Sequence, residues 1–427
     1  MTTHTTRVEL FIGKGGVGKT TLACATAMSY ARAGRRVLIA SLDQAHSLGD
    51  ALGFRFPHDP GTVAGIATVL PGLDVIEVDS LALLEDRFRE VVRMLSPGTG
   101  HDHGVDLAAL DPAELTGLPG VQELLMLVEI TQFVHEDDWD VVVVDCPPSA
   151  DMLRIVTAPD TLLGYLERVW PAHARAMSSV GTDLRRAVLA ATVERIVEAV
   201  TEVRDLLADH RRTGARLITV AERVTLAESE RVRSAAALLG LRLDTVVVNK
   251  VLPALDGAAD IDHPAAHWYA DRRDEQLTAI TELRRAMPGI PVLIAQHTGP
   301  EPIGLTSLTA LSHAVGSDGD AALMLSDSPA EVDGSSGEPV VRCESGSGLH
   351  AIYTLRMPLP VVDATTLRLG RVEDDLIVGA DGVRRRVRLA PVLRRCTVDG
   401  AELDGGQLVV RFRPDPQLWP ESGGDER

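Results

Sequence analysis

Short apolar runs at residues 8–12, 37–41, 75–78, 139–145, 216–221, 244–250 and 290–295 punctuate the first part of the chain. Each is too short for a helix, and Val141-Val142-Val143-Val144 is the clearest of them. Continuous rather than alternating hydrophobicity predicts strands covered on both faces, as in a parallel sheet. Between the runs lie segments with helical periodicity: the alanine-rich stretch 22–32, the stretch 118–133, residues 161–212 and residues 229–239. Strand and helix in alternation predict an α/β fold over residues 1–316, a doubly wound and mostly parallel sheet. The helical segments at about 81–135 and 160–213 predict a subdomain carried by that sheet. Leu162, Leu163, Leu166 and Val169 share one helical face, as do Val188, Ile196 and Val200 further on. Such faces are core more often than binding groove, so a sealed helical core is the expectation.

Beyond residue 316 the pattern changes. Residues 317–347 are dominated by Asp, Ser, Gly and Glu and read as a flexible acidic linker. Residues 348–420 then carry short β-type runs at 349–357, 366–369, 375–378, 384–389 and 407–412, with turns at Gly379-Ala380-Asp381-Gly382 and Asp404-Gly405-Gly406. That spacing predicts a small all-β sandwich without a catalytic constellation. Arg384-Arg385-Arg386 fits a solvated strand edge.

The chemistry concentrates at the ends of the predicted strands. Gly13-Lys14-Gly15-Gly16-Val17-Gly18-Lys19-Thr20-Thr21 follows the first strand and opens the first helix, the context a phosphate-binding loop needs. Its glycines let backbone N–H groups turn inward, and the helix N-terminus adds positive potential. Lys19 can reach the β- and γ-phosphates, and the Thr20 hydroxyl can ligate magnesium. Lys14 occupies a position the general pattern leaves free, where a solvated lysine is the plain reading. Asp43 stands after the second strand, where a carboxylate can orient or deprotonate an attacking water or simply cap a helix; position leaves both open. Asp145, ending the valine strand, suits a magnesium-holding carboxylate. Asn249 ends another valine strand, where it can present its amide to an adenine edge or serve as a turn residue. Spacing alone favours the turn. His101 and His103, in a glycine-rich stretch, read as loop rather than metal ligands.

Composition narrows the field. With 427 residues, two or more domains are expected. Aromatics make up only 3%, so alanine, valine and leucine must fill the core. Sixty-one acids against 42 bases give a net charge of −19, which argues against general binding to nucleic acid or to anionic membranes. Cys24, Cys146, Cys343 and Cys396 are scattered, with no pair spaced for zinc or redox chemistry. No apolar run approaches the roughly 20 residues of a membrane span, and residues 1–6 lack a signal-peptide core. A cytoplasmic protein is expected.

The loop with its extra lysine resembles the deviant Walker A motif of a class of dimeric ATPases that includes the arsenite-pump ATPase ArsA, the tail-anchored-protein targeting ATPases, MinD and ParA. In that class the extra lysine reaches the partner's nucleotide, which implies such a role for Lys14. Asp43-Gln44-Ala45-His46-Ser47-Leu48-Gly49-Asp50 is similar to switch I of ArsA and the targeting ATPases, with Gln44 where proline is usual. The likeness implies that Asp43 activates the hydrolytic water. Asp145-Cys146-Pro147-Pro148-Ser149-Ala150-Asp151-Met152-Leu153-Arg154 resembles their switch II, with Ala150 and Asp151 replacing a glycine and a histidine. Pro119-Gly120-Val121-Gln122-Glu123 resembles a helix start of the same family. The family context turns Asn249 into the base reader and makes Pro300, Glu301 and Pro302 part of a loop over the adenine. The last part of the chain looks like the α-crystallin-type, small-heat-shock-protein domain appended to some bacterial ArsA-related ATPases.

The resemblance implies ATP and Mg2+ as ligands, ATP hydrolysis, and a homodimer that opens and closes with nucleotide state. Three outputs compete. The first is a chaperone ATPase that handles a hydrophobic or membrane-protein client. The second is the ATPase subunit of an arsenite or anion efflux system, weakened by the scattered cysteines. The third is an ATP-gated scaffold of MinD/ParA type, weakened by the net charge and by the lack of a C-terminal amphipathic helix.

Overall fold

A computed structural model describes residues 5–42, 47–55, 65–77, 82–87, 89, 121–136, 138–180, 184–255, 261–316, 339–360 and 364–419. They form two compact units, one within Met1–Leu226 and Asp244–Leu325, the other within Ala227–Leu243 and Ser326–Arg427.

The first unit is built on a nine-stranded sheet in the order β3-β4-β2-β5-β1-β6-β7-β8-β9. Its strands are β1 (Arg7–Gly13), β2 (Val37–Ser41), β3 (Ala67–Leu70), β4 (Leu73–Glu77), β5 (Val141–Asp145), β6 (Thr213–Val220), β7 (Leu243–Val251), β8 (Val292–Gln296) and β9 (Val315–Gly316). β1 pairs in parallel with β5 and β6, β2 with β4 and β5, and β7 with β8. The two edge strands, β3 and β9, run antiparallel to their neighbours. The chain winds from β1 to one side, returns through β5, and then builds the other side from β6. The carboxyl end of β1 is therefore at the switch point, where open α/β sheets hold their ligands.

All five residues of β2 and of β5 are buried, as their unbroken apolar runs require. The helix α1 (Lys19–Arg32) is nearly encased: Leu22, Ala23, Cys24, Ala25 and Ala27 are all fully buried. Its small side chains let it press against the sheet together with α2 (Ser47–Leu52), in one core cluster that also takes Leu308 and Leu311. Beneath α1, Glu9 of β1 and Arg216 of β6 form a fully buried ion pair at 2.9 Å. The Tyr30 hydroxyl donates to Glu9 Oε1 at 2.5 Å and accepts from Arg216 at 3.0 Å, so both charges are hydrogen-bonded as burial demands.

The helical part comprises α3 (Val121–Glu136), α4 (Ser149–Val169), α5 (Ala172–Val180) and α6 (Leu184–Ala208), with α6 packed against the other three. The sealed core expected here is only partly realised. Val200 and Val203 of α6 are buried, but Leu162, Leu163 and Leu166 of α4 are half-buried and Val169 is 64% exposed. Among the described residues the stripe on α4 is only half covered. The segment 90–120, including His101 and His103, lies outside the described residues. Helices α7 (Arg223–Leu239), α8 (Pro264–Ala286) and α9 (Gly304–His313) complete the connections.

The second unit is all-β apart from short helical turns and α7 beyond its first turn, residues 227–239. One antiparallel sheet has the order β10-β11-β16-β15, from Val340–Ser345, Ile352–Pro358, Gln407–Pro414 and Cys396–Asp404. The other has the order β12-β13-β14, from Arg368–Val372, Asp375–Ala380 and Val383–Arg388. Leu355, Val378, Val410 and Phe412 share the core between the sheets. That core also takes Leu238 of α7, which is fully buried, and Arg385 donates to the Leu238 carbonyl at 2.9 Å. Two strands of this unit were not expected from the sequence, nor were β3 and β9 of the first. β10 and β15 are the edges of the four-stranded sheet and largely exposed, so neither needs an apolar run. β10 begins at Val340, inside the stretch expected to be linker; residues 317–338 lie outside the described part.

Candidate nucleotide site

The glycine loop leaves β1 and enters α1, as its sequence predicts. Two glycines are required by close approach. A Cβ on Gly13 would stand 2.2 Å from the Ile218 carbonyl oxygen of β6, and one on Gly18 would stand 2.4 Å from Asn249 Nδ2. Gly18 also has φ +92°, a left-handed conformation that side chains disfavour.

Lys19, though only 7% exposed, aims its ammonium along the loop and donates to the Lys14 carbonyl at 3.1 Å. Thr20 Oγ1 donates to Asp145 Oδ2 at 2.7 Å and lies 3.2 Å from Ser47 Oγ. A hydroxyl from α1 and a buried carboxylate from β5 thus meet at the sheet's carboxyl edge, 125 residues apart in sequence. Their oxygens are the hard donors that magnesium takes, and a hydroxyl–carboxylate pair leaves room for water and phosphate ligands. The donor set fits a divalent metal. Ser47 was not singled out from the sequence; its neighbour in the resemblance, Asp43, drew the attention. Glu77, at the end of β4 and 7% exposed, accepts from the Gly49 amide at 2.9 Å and so fastens the helix that carries Ser47. It too carried no motif signal. Asp43 and Gln44 lie outside the described residues.

Asn249 is buried and inserted beneath the loop. Its Nδ2 donates to the Val17 carbonyl at 2.8 Å, and its Oδ1 accepts from the Lys250 amide at 2.9 Å. One amide hydrogen and one lone pair remain for a further partner. Pro300, Glu301 and Pro302 follow β8 in a largely exposed loop. That loop starts beside β7, since the His297 amide donates to the Val251 carbonyl at 2.8 Å. Thr21 lies on the first turn of α1, half-buried.

Cys24 on α1 is a buried thiol. Burial first, then the carboxylates of Asp145 and Glu77, push its pKa well above the usual thiol range. Cys146 and Cys396 are also buried, and only Cys343 is exposed. Among the described residues no group of three or more His, Cys, Asp or Glu side chains is arranged to hold a metal ion. No helix among them is long and apolar enough to cross a membrane.

A parallel sheet with a glycine loop at its switch point, a lysine lining that loop, and a hydroxyl–carboxylate pair beside it defines a P-loop ATPase. Within that class the chain belongs to the anion-transporting ATPase (ArsA) family, which it matches over residues 6–316. Residues 350–412 match the HSP20-like domain found in ArsA. The chain is 44% identical to Protein Rv2184c of Mycobacterium tuberculosis over 430 aligned positions, covering 97% of each. It is 25% identical to a protein of Aquifex aeolicus whose name proposes an arsenical pump-driving ATPase, covering 95% of this chain and 99% of that one. It is 30% identical to ATPase GET3 of Candida glabrata, covering 64% of this chain and 82% of that one. The fold, the ATPase class and the HSP20-like domain expected from the sequence are all found.

Proposed function

We propose that this ATPase is a Mg-ATP-driven homodimeric switch of the cytoplasm that couples nucleotide state to a hydrophobic or membrane-protein client. The observation that carries the nucleotide half is the Thr20–Asp145 hydrogen bond beside a loop whose lysine is already turned inward. In this reading Gly15, Gly16, Val17, Gly18 and Thr21 offer backbone amides to the phosphates from a loop closed by Gly13. Lys19 neutralises the β- and γ-phosphates, while Thr20 and Asp145 hold magnesium. The metal supplies charge neutralisation of the phosphate oxygens when bound. Asp43 accepts a proton from, or orients, the attacking water. Lys14 of the other subunit meets charge developing on the transferred phosphoryl group. Asn249 spends its remaining amide capacity on the adenine edge, with Pro300, Glu301 and Pro302 closing over the ring.

The client half is supported by the helical part. Tyr165 is 56% exposed, Val169 64%, Met177 76% and Ile196 42%. Apolar side chains this open on neighbouring helices are costly in water and suit an apolar partner. An arsenite-type reading is second. It asks for accessible thiols near one another, whereas Cys24 is encased, held protonated by its surroundings, and part of no metal-binding group among the described residues.

The test is binding of a fluorescent, membrane-length Leu/Ala peptide to two variants in Mg-ATP. Asp43→Asn should hold ATP uncleaved and bind the peptide, while Lys19→Ala should bind neither well. Equal peptide binding by the two variants overturns the coupling. Stimulation of wild-type turnover by arsenite, without peptide binding, moves the weight to the efflux reading.

A further inference from the structure

We infer that Lys250 is a positioning residue of the ATP site, a third lysine that sets the glycine loop from outside. The proposal deepens the ATPase assignment and rests on reading residues 13–21 as the phosphate cradle.

Lys250 follows Asn249 at the carboxyl end of β7. The pairing of β7 with β8 shifts register between Val248 and Val251, so Asn249 and Lys250 occupy a bulge. Bulges beside functional sites re-aim side chains. Lys250 has φ +59°, a left-handed conformation that a lysine adopts only when its surroundings enforce it. Those surroundings are specific. The Asn249 carboxamide oxygen accepts from the Lys250 amide at 2.9 Å. Gln276 of α8, only 6% exposed, accepts from the Leu252 amide at 2.8 Å and donates to the Lys250 carbonyl at 3.2 Å. A buried glutamine bracketing one turn is a costly way to make an ordinary strand end.

The turn delivers the ammonium of Lys250 to the Gly16 carbonyl, at 3.1 Å. With that contact, three side-chain donors hold the loop: Lys19 on the Lys14 carbonyl, Lys250 on the Gly16 carbonyl and Asn249 on the Val17 carbonyl. In a planar trans peptide the C=O and the following N–H point in opposite directions. Pulling the Gly16 and Val17 carbonyls toward β7 therefore turns the Val17 and Gly18 amides the other way, toward the phosphate side. Lys250 thus pre-orients the Gly16–Val17 peptide plane of the cradle, and its charge adds to the anion-attracting field there.

Held amides bind the ground state and the transition state alike, so loss of Lys250 should appear in KM. Three variants separate the ammonium from the turn. Lys250→Met keeps the aliphatic stem; Lys250→Gly relieves the left-handed strain but has no donor; Lys250→Arg restores a cation. Methionine and glycine should each raise KM for Mg-ATP about tenfold, the worth of one charge-assisted hydrogen bond, with kcat within about twofold. Arginine should recover most of the loss. In nucleotide-free protein, hydrogen exchange at the Val17 and Gly18 amides should quicken in the Met and Gly variants only. Unchanged KM and exchange in Lys250→Met overturn the proposal. So does wild-type behaviour of Lys250→Gly, which would assign the feature to the backbone turn. Wild-type protein that fails to hydrolyse ATP would instead sink the site assignment, while the exchange measurement would still report on the loop.

Discussion

Replacing Gly18 by alanine tests the packing of the phosphate loop against β7. The new Cβ would lie 2.4 Å from Asn249 Nδ2, closer than carbon and nitrogen tolerate, so Asn249 must move. Moving it breaks the 2.8 Å bond to the Val17 carbonyl, a net loss of about 1 kcal/mol. Holding alanine near φ +92° costs about a further 1–2 kcal/mol. The empty loop can relieve both by shifting, but binding phosphate restores the original geometry. The penalty of about 2–3 kcal/mol therefore falls on affinity, a weakening of about 30–150-fold for Mg-ATP by calorimetric titration. The cause can be isolated. In an Asn249→Ala background the clash and the bond are already gone, so Gly18→Ala should cost only its backbone share. A coupling of about 1 kcal/mol between the two sites is expected. If Gly18→Ala costs the same in both backgrounds, Asn249 does not brace the loop and the argument fails.

Further outcomes follow from the cores. Arg216→Met leaves Glu9 buried without its main counter-charge and should destabilise the first unit by about 3–5 kcal/mol in urea unfolding. Adding Glu9→Leu should restore much of it, and no recovery would mean the pair is not what the loss reports. Leu238→Ala should destabilise the β unit by about 2–5 kcal/mol, because that leucine is fully buried in its core; an unaltered melt of that unit would show that α7 merely touches it. Cys24 has a raised pKa when folded, so the unfolded chain loses this proton first as pH rises past about 8.5. Stability should fall on that alkaline side, and Cys24→Ala should shallow the fall in thermal melts between pH 7 and 10.

What the sequence made legible was whatever is continuous along the chain. β5 and β2 are buried on both faces and announce themselves as unbroken apolar runs. The glycine loop, Lys19, Thr20 and Asp145 sit at strand ends where a local pattern suffices. The misses come from contacts that cross the chain. Ser47 gains meaning only because α2 is folded against Thr20, and Glu77 only because β4 ends beside Gly49. Lys250 meets the Gly16 carbonyl only because a bulge and Gln276 of α8 shape the turn that carries it. Leu238 belongs to a helix that precedes β7, yet it finishes the core of a β unit formed some hundred residues later. The stripe on α4 misled in the other direction, since periodicity says which residues share a face and not whether anything covers it.

The most direct test of the account is Mg-ATP turnover by Thr20→Ala and Lys19→Ala beside the wild-type protein, each checked for an unchanged melting profile. If the loop and the Thr20–Asp145 pair are where ATP is cleaved, both variants should lose at least about a hundredfold in kcat/KM, the scale of removing one preorganised electrostatic contact from a phosphoryl-transfer site. Turnover persisting near the wild-type rate in either folded variant would contradict the claim and place the chemistry elsewhere in the molecule.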